Sequence, residues 1–238
     1  DWNRYFDAAR LMMSGTTVYP ALGNHENDSL IYYEAFGLPS YYSFDCGDAH
    51  FSVLDSNDLS AVTSQAQWLE DDLATSGLWK FASFHHPMYT SEAEHFGGWV
   101  EVFTEWYDLF NSYAIDAVWN GHIHAYERFI DNDIPSCVIG TGGGPLYFLG
   151  EARYDGYQNS LEHSLAYARV TVDPDDDIAT VQIIRVADIA PDNSQVTTLY
   201  PPGTVFETFV LAHPPAVDAG PDASVLSGEV FSLSAGFN

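Results

Sequence analysis

Ile115-Asp116-Ala117-Val118-Trp119-Asn120-Gly121-His122-Ile123-His124 sets an apolar run against a turn former and then two histidines two positions apart. A short apolar run bounded this way reads as a buried strand. The same pattern occurs twice more. Residues 79–84 run into His85-His86-Pro87, and residues 16–22 run into Gly23-Asn24-His25-Glu26. Between and around these runs the apolar spacing is helical, over residues 2–14, 29–36, 63–73 and 98–113. Residues 41–44 and 50–54 read as paired strands around a Cys46-Gly47-Asp48 turn, and residues 136–140 as one more buried strand. Further on, at 167–172, 179–185 and 205–211, the pattern becomes strict alternation, which reads as antiparallel strands. The chain is therefore expected to be a layered α/β protein, with a mixed sheet or two packed sheets.

Composition narrows the function classes. The 238 residues suffice for one large domain or one and a half. With 46% hydrophobic and 15% aromatic residues, disorder is excluded for most of the chain. No apolar run approaches the roughly 18 residues of a membrane helix, so membrane insertion is not expected. Seven basic and 34 acidic residues give a net charge of −27. Such a surface repels nucleic acid and anionic membranes, and nucleic acid is not an expected partner. Protein cations are too few to attract a phosphate, so metal ions would have to supply that attraction. Two cysteines, Cys46 and Cys137, make no disulfide framework. Two buried thiols are the simpler reading, with a single bridge left open. The ends read as cut: the first residues lie inside an amphipathic helix and the last stop in mid-strand.

Six of the nine histidines lie in the three clusters that follow the three apolar runs. In open α/β folds ligand sites gather just past the ends of strands. In an extended segment residues two apart point to the same side, so His122 and His124 can face one metal or two adjacent ones. The donors are imidazole and oxygen, which suits zinc, iron or manganese. Asn24 can offer a carbonyl oxygen, while His25 can remain off the metal as an acid or a phosphate contact.

Gly23-Asn24-His25-Glu26, His85-x-Pro87 and Gly121-His122-Ile123-His124-Ala125-Tyr126-Glu127-Arg128 together resemble the calcineurin-like metallophosphoesterases, and more narrowly the purple acid phosphatase branch. The resemblance spans residues 1–212 in motif order. It implies an α/β/β/α sandwich with mixed sheets, short at its N-terminus, and two bridged metal ions, iron with zinc, manganese or a second iron. Asn24, His85 and His122 would bind the second metal and His124 the first. His25 matches a phosphate-contacting histidine and proton donor, and His95 a further substrate-facing histidine. The implied reaction is hydrolysis of phosphate monoesters by a metal-bridging hydroxide. The alternatives are a phosphodiesterase or nucleotide hydrolase with the same site, or a decayed extracellular binding module. The family's upstream motifs, a first Asp, a Gly-Asp pair and a Tyr ligand, should precede Gly23 and are not found in residues 1–22. The stretch alone is therefore expected to hold metal poorly and to be nearly inactive.

The remaining features carry weaker expectations. His86 is expected beside the ligands or at the surface, His50 to be structural, and His163 to stay off the site. Arg128 is expected to form a structural ion pair, with Glu127 or Asp131. Gly142-Gly143-Gly144 is either a turn brought against the site or a plain tight turn. The aromatics of residues 96–113 are expected in the core. Residues 173–177 read as an Asp-rich hairpin turn rather than a calcium loop. His213-Pro214-Pro215 reads as a linker, and residues 213–238 resemble the opening of a PKD-type immunoglobulin-like repeat. That resemblance implies a secreted or cell-surface, multidomain parent.

Overall fold

A computed structural model describes residues 2–26, 29–58, 62–75, 78–99, 103–212 and 230–233. Helices α1 (Trp2–Met13) and α2 (Leu30–Phe36) come first, then strands β1 (Tyr42–Cys46) and β2 (Ala49–Val53), helix α3 (Val62–Thr75), strand β3 (Trp79–Phe84) and helix α4 (Thr104–Ser112). Strands β4 (Ala117–Asn120), β5 (Tyr126–Asp131), β6 (Ile134–Ile139), β7 (Tyr157–Leu161), β8 (Ser164–Asp173), β9 (Ile178–Ile189), β10 (Val196–Leu199), β11 (Val205–Ala212) and β12 (Val230–Leu233) follow.

The first sheet has the order β1-β2-β3-β4-β6-β5-β7. Its centre, β2-β3-β4-β6, is parallel, and its flanks are antiparallel. The second sheet runs β10-β9-β8-β12, with β11 on the same edge of β9 as β10, and every pairing in it is antiparallel. Alternation along each strand builds the layers. Trp79 and Phe81 of β3, with Ala117 and Trp119 of β4, face Ala168, Val170, Val181 and Ile183 of the second sheet. Ala82, Phe84 and Val118 point the other way, onto Leu69 and Leu73 of α3 and Trp106 and Phe110 of α4. The layered α/β arrangement is thus the fold, with one mixed sheet, one antiparallel sheet, and α3 and α4 on the outer face of the mixed one.

Local chemistry explains several elements. Ser29 caps α2 by accepting the Ile31 N–H at 3.3 Å. Asp173 Oδ1 accepts the N–H groups of Asp175 and Asp176 at 3.1 and 3.4 Å, closing the β8–β9 hairpin as an Asx turn. His50 lies buried between Asp45 and Asp72, at 2.7 and 2.9 Å, and is structural as expected. Both cysteines are free thiols, Cys137 buried and Cys46 only partly so.

Other expectations change. Residues 16–22 form no strand: Pro20 has no N–H to give to a ladder, and its carbonyl accepts the hydroxyls of Tyr32 and Tyr42 instead. The helix expected over residues 98–113 starts only at Thr104, and Val102 lies outside the described residues. Gly97 and Gly98 have φ of 98° and 74°, and a Cβ on Gly98 would fall 2.3 Å from the Met88 carbonyl oxygen, so no helix can start there. Strands β5, β7 and β10 are additions to the sequence reading. Arg128 does form a structural ion pair, but neither Glu127 nor Asp131 is its partner. It binds Glu207, across the two sheets, through Nε at 3.1 Å and Nη2 at 2.5 Å. Glu207 also accepts the Tyr126 hydroxyl at 2.6 Å, and the Arg128 guanidinium lies 4.5 Å from the centre of the Phe209 ring. Val230–Leu233 pairs with β8, while the rest of residues 213–238 lies outside the described residues.

Candidate metal centre

The parallel pairing of β3 and β4 decides the geometry. Phe84 is in register with Asn120, so the residues just after the two strands emerge side by side, and the Gly121 N–H donates to the His85 carbonyl at 2.9 Å. Asn120 Nδ2 holds the carbonyl of Phe84 at 3.0 Å and that of His86 at 3.4 Å, fixing the turn that carries the two histidines. Into this corner comes Asn24. Its Oδ1 lies 2.7 Å from His85 Nε2, which in turn lies 3.0 Å from His122 Nδ1. Side chains from three distant segments, Asn24, His85 and His122, therefore converge.

Their protonation suits a cation. Burial, then the neighbouring imidazoles of His86 and His122, hold the His85 pKa down to about 2. Burial and the rings of His86 and His95 bring His122 down to about 4. Both rings are neutral over a wide pH range, and a neutral imidazole has a lone pair to give. The oxygen-and-imidazole set fits zinc, iron or manganese.

His122 and His124 do not face one way through an extended backbone. The segment is bent, with His122 in the left-handed region at φ 63°. His124 Nδ1 donates to the Pro145 carbonyl at 2.5 Å, so that in the neutral ring Nε2 is the nitrogen that bears the lone pair, and burial lowers its pKa. A Cβ on Gly144 would fall 2.7 Å from His124 Cε1, so the glycine-rich turn is the close-approach kind. Tyr147 stacks on the His124 ring at 4.3 Å.

His25 is exposed on the turn that bears Asn24, near enough to be among the groups that lower the pKa of His85, His122 and His124. The His95 ring packs 5.5 Å from that of His122. His163 lies against Phe148 at 4.2 Å, within the second half of the fold.

His86 takes one of the two places read for it, beside the expected ligands, while Trp99 gains a contact that the sequence did not give it. His86 is half-buried, its ring 4.6 Å from His122, and His85, His86 and His122 each offer a ring nitrogen within 4.8 Å of the other two. Trp99 packs against the core as expected and also sets its ring 5.2 Å from His122 and 5.3 Å from both His86 and His95. The Gly97-Gly98 pair just before it was the available signal. A cleft of about 820 Å³ opens here, lined by Asn24, Tyr33, Asp55, Ser56, His86 and Trp99 among others.

Five of the seven protein cations are held in the scaffold. Arg128 binds Glu207, Arg185 binds Asp188, Arg169 binds Gln182, Arg153 binds the Gly150 carbonyl, and Lys80 binds the Tyr113 carbonyl. Arg4 and Arg10 are exposed on α1.

A parallel sheet that gathers an asparagine and histidines past its strand ends, with a second sheet behind it, defines a metallophosphoesterase class of protein. The chain belongs to the Calcineurin-like phosphoesterase family, whose profile matches residues 1–126. It is 32% identical over 143 residues to purple acid phosphatase 23 of Arabidopsis thaliana, covering 50% of this chain and 31% of that protein. To purple acid phosphatase 15 of the same plant it is 37% identical over 118 residues, covering 43% of this chain and 22% of that protein. The chain thus spans less than a third of the length of these relatives. In fold it resembles the purple acid phosphatase PPD1 from yellow lupin (Lupinus luteus) seeds, with a TM-score of 0.60 at 18% identity, over 79% of this chain and 36% of the other. It also resembles GAP50, the anchor in the inner membrane complex of Plasmodium, with a TM-score of 0.56 at 14% identity, over 74% and 56% of the two chains. Among the described residues no helix is long and apolar enough to cross a membrane.

Proposed function

We propose that residues 1–212 belong to the catalytic domain of a metal-dependent hydrolase of small phosphate monoesters, to whose second sheet Val230–Leu233 adds a strand, and that the parent protein is extracellular. The observation that carries the activity is the convergence of Asn24 Oδ1 and His122 Nδ1 on His85 Nε2, at 2.7 and 3.0 Å. Asn24, His85 and His122 would hold one metal ion, and His124 would contribute its Nε2 to a second. When bound, such ions attract the phosphoryl group and make water a better nucleophile near neutral or acid pH.

The chain's own groups do the rest. His25, exposed beside Asn24, is placed to give a proton to the departing alkoxide. His95 and Trp99 form the wall against which the substrate sits. With His85 held to about 2 and His122 to about 4, these two donors stay unprotonated in mildly acid solution. This supports activity of the acid phosphatase type. Five tethered cations and a net charge of −27 leave bound metal as the main attraction for an anionic substrate.

The test is made on the protein extended upstream. Elemental analysis should give two metal ions per chain, and p-nitrophenyl phosphate should be hydrolysed faster than its bis-ester. Faster turnover of the diester would move the reading to a phosphodiesterase. Failure to bind metal would leave a binding module, a use of this fold for which an anchor such as GAP50 is a precedent.

A further inference from the structure

His95 is held by a chain of contacts that begins in the same motif as His122. Glu127, fully buried, accepts the Thr90 hydroxyl at 2.5 Å and the Ser91 N–H at 2.9 Å. Thr90 Oγ1 accepts the Glu92 N–H at 3.0 Å, and Glu92 forms an isolated bridge with Leu149. Glu92 is itself buried. Its Oε2 receives His95 Nδ1 at 2.7 Å, together with the backbone N–H groups of Glu94 and His95, both at 3.1 Å. The His95 ring is then clamped by Trp99, stacked at 5.3 Å, and set edge-on to His122.

An ionised carboxylate only accepts hydrogen bonds, so the His95 nitrogen facing Glu92 must be the protonated one. This leaves Nε2 of the neutral ring with a lone pair. Free imidazole in water exchanges between two tautomers, and only one of them would serve a substrate-facing base. A histidine whose second nitrogen is held by a carboxylate is fixed in both tautomer and orientation.

We propose that Glu92 is the positioning residue for His95: it fixes the ring as the Nδ1–H tautomer and presents Nε2 to the substrate, with Glu127 and Thr90 holding Glu92 in place. The catalytic part rests on the hydrolase reading above; the tautomer part does not.

Two arms test it. In the first, the 238-residue chain is labelled with nitrogen-15 histidine, and His95 is assigned by its loss in His95→Gln. At a pH where the ring carries a single proton, the wild type should show it on Nδ1, with Nε2 unprotonated. Glu92→Gln, whose amide oxygen still accepts, should keep that signature, and Glu92→Ala should lose it. A wild-type His95 protonated on Nε2, or a signature unchanged in Glu92→Ala, overturns the proposal. In the second arm, on the metal-loaded upstream-extended protein, Glu92→Ala should lower kcat on the order of 10²-fold, the cost of a misplaced catalytic group. KM and metal content should stay near wild type, Glu92→Gln should recover most of the loss, and Glu92→Ala/His95→Ala should be no slower than His95→Ala. A residue that only caps the 92–95 turn would lower folded yield and leave kcat per folded molecule unchanged, which refutes the catalytic part. A wild type inert toward phosphate esters refutes the hydrolase reading, and the first arm still decides the tautomer.

Discussion

Removing Glu207 should damage the fold far from any metal ligand. Glu207 sits in β11, while its partners Tyr126 and Arg128 sit in β5, so its carboxylate ties the second sheet to the first. Both charged side chains are well covered, with 14% of Arg128 and 11% of Glu207 exposed, and Tyr126 is fully buried. Glu207→Ala leaves a guanidinium without its counter-ion and a buried hydroxyl without its acceptor. Breaking a buried pair from one side typically costs about 3–5 kcal/mol, because the remaining charge stays desolvated. At roughly 2–4 °C per kcal/mol for a chain of this size, the thermal midpoint should fall by about 6–20 °C. Circular dichroism melts and urea titrations give the number. Glu207→Gln, which can still accept from Tyr126, should lose less. Arg128→Met/Glu207→Leu, which removes both charges, should be more stable than Glu207→Ala. If Glu207→Ala falls within about 1 kcal/mol of wild type, where exposed pairs lie, the cross-sheet tie is not what holds Arg128.

Further outcomes follow from the same contacts. In the upstream-extended protein, His122→Ala should lower metal content and activity together, whereas His25→Ala should cut turnover with metal largely retained; equal metal loss in both would make His25 a ligand. Gly144→Ala should push its Cβ into the His124 ring and weaken the bond to Pro145, worth about 1 kcal/mol, so one of the two metals should bind more weakly while the far-ultraviolet spectrum stays unchanged; full retention of both metals by elemental analysis would refute the close approach. The folded pKa values of His122 and His85 lie below the ordinary 6.5, so the metal-free chain should lose stability as pH falls from about 6.5 through 4, because the unfolded state then binds more protons. His122→Gln should show a shallower loss in urea midpoint against pH, and an identical slope would refute that origin. Burial raises the Cys137 thiol pKa, so a thiol reagent should label one cysteine, Cys46, in the native chain and both only after unfolding.

What could be read in the sequence was what repeats locally. His85 and His122 follow apolar runs that become neighbouring strands, and strand ends meet in an α/β sheet, so their convergence was legible; Asn24 follows no strand and could be joined to them only through the motif it stands in. The alternation of β8, β9 and β11 was equally plain. Residues 16–22 misled because an apolar run becomes a strand only when a neighbour accepts its ladder, and Pro20 cannot donate. Trp99 was half legible: it packs against the core as read, but a tryptophan at helical spacing looks the same whether or not imidazoles lie on its other side. Glu207 as the partner of Arg128 was beyond reach, being 79 residues away with nothing local to mark it. Glu92 was hidden for the opposite reason: three residues from His95, it resembles any acidic residue in a turn until its burial is known.

On the hydrolase reading proposed above, the tethering of five cations to carboxylates, amides and carbonyls would set an order of events. The metal-free cleft would be a cation-poor pocket on a strongly anionic body, offering a phosphate little to grip. The ions would then load ahead of the anion, and the anion would leave with them. Metal would act as a gatekeeper for substrate and product alike, and a phosphate-rich medium would inhibit only molecules that are already armed.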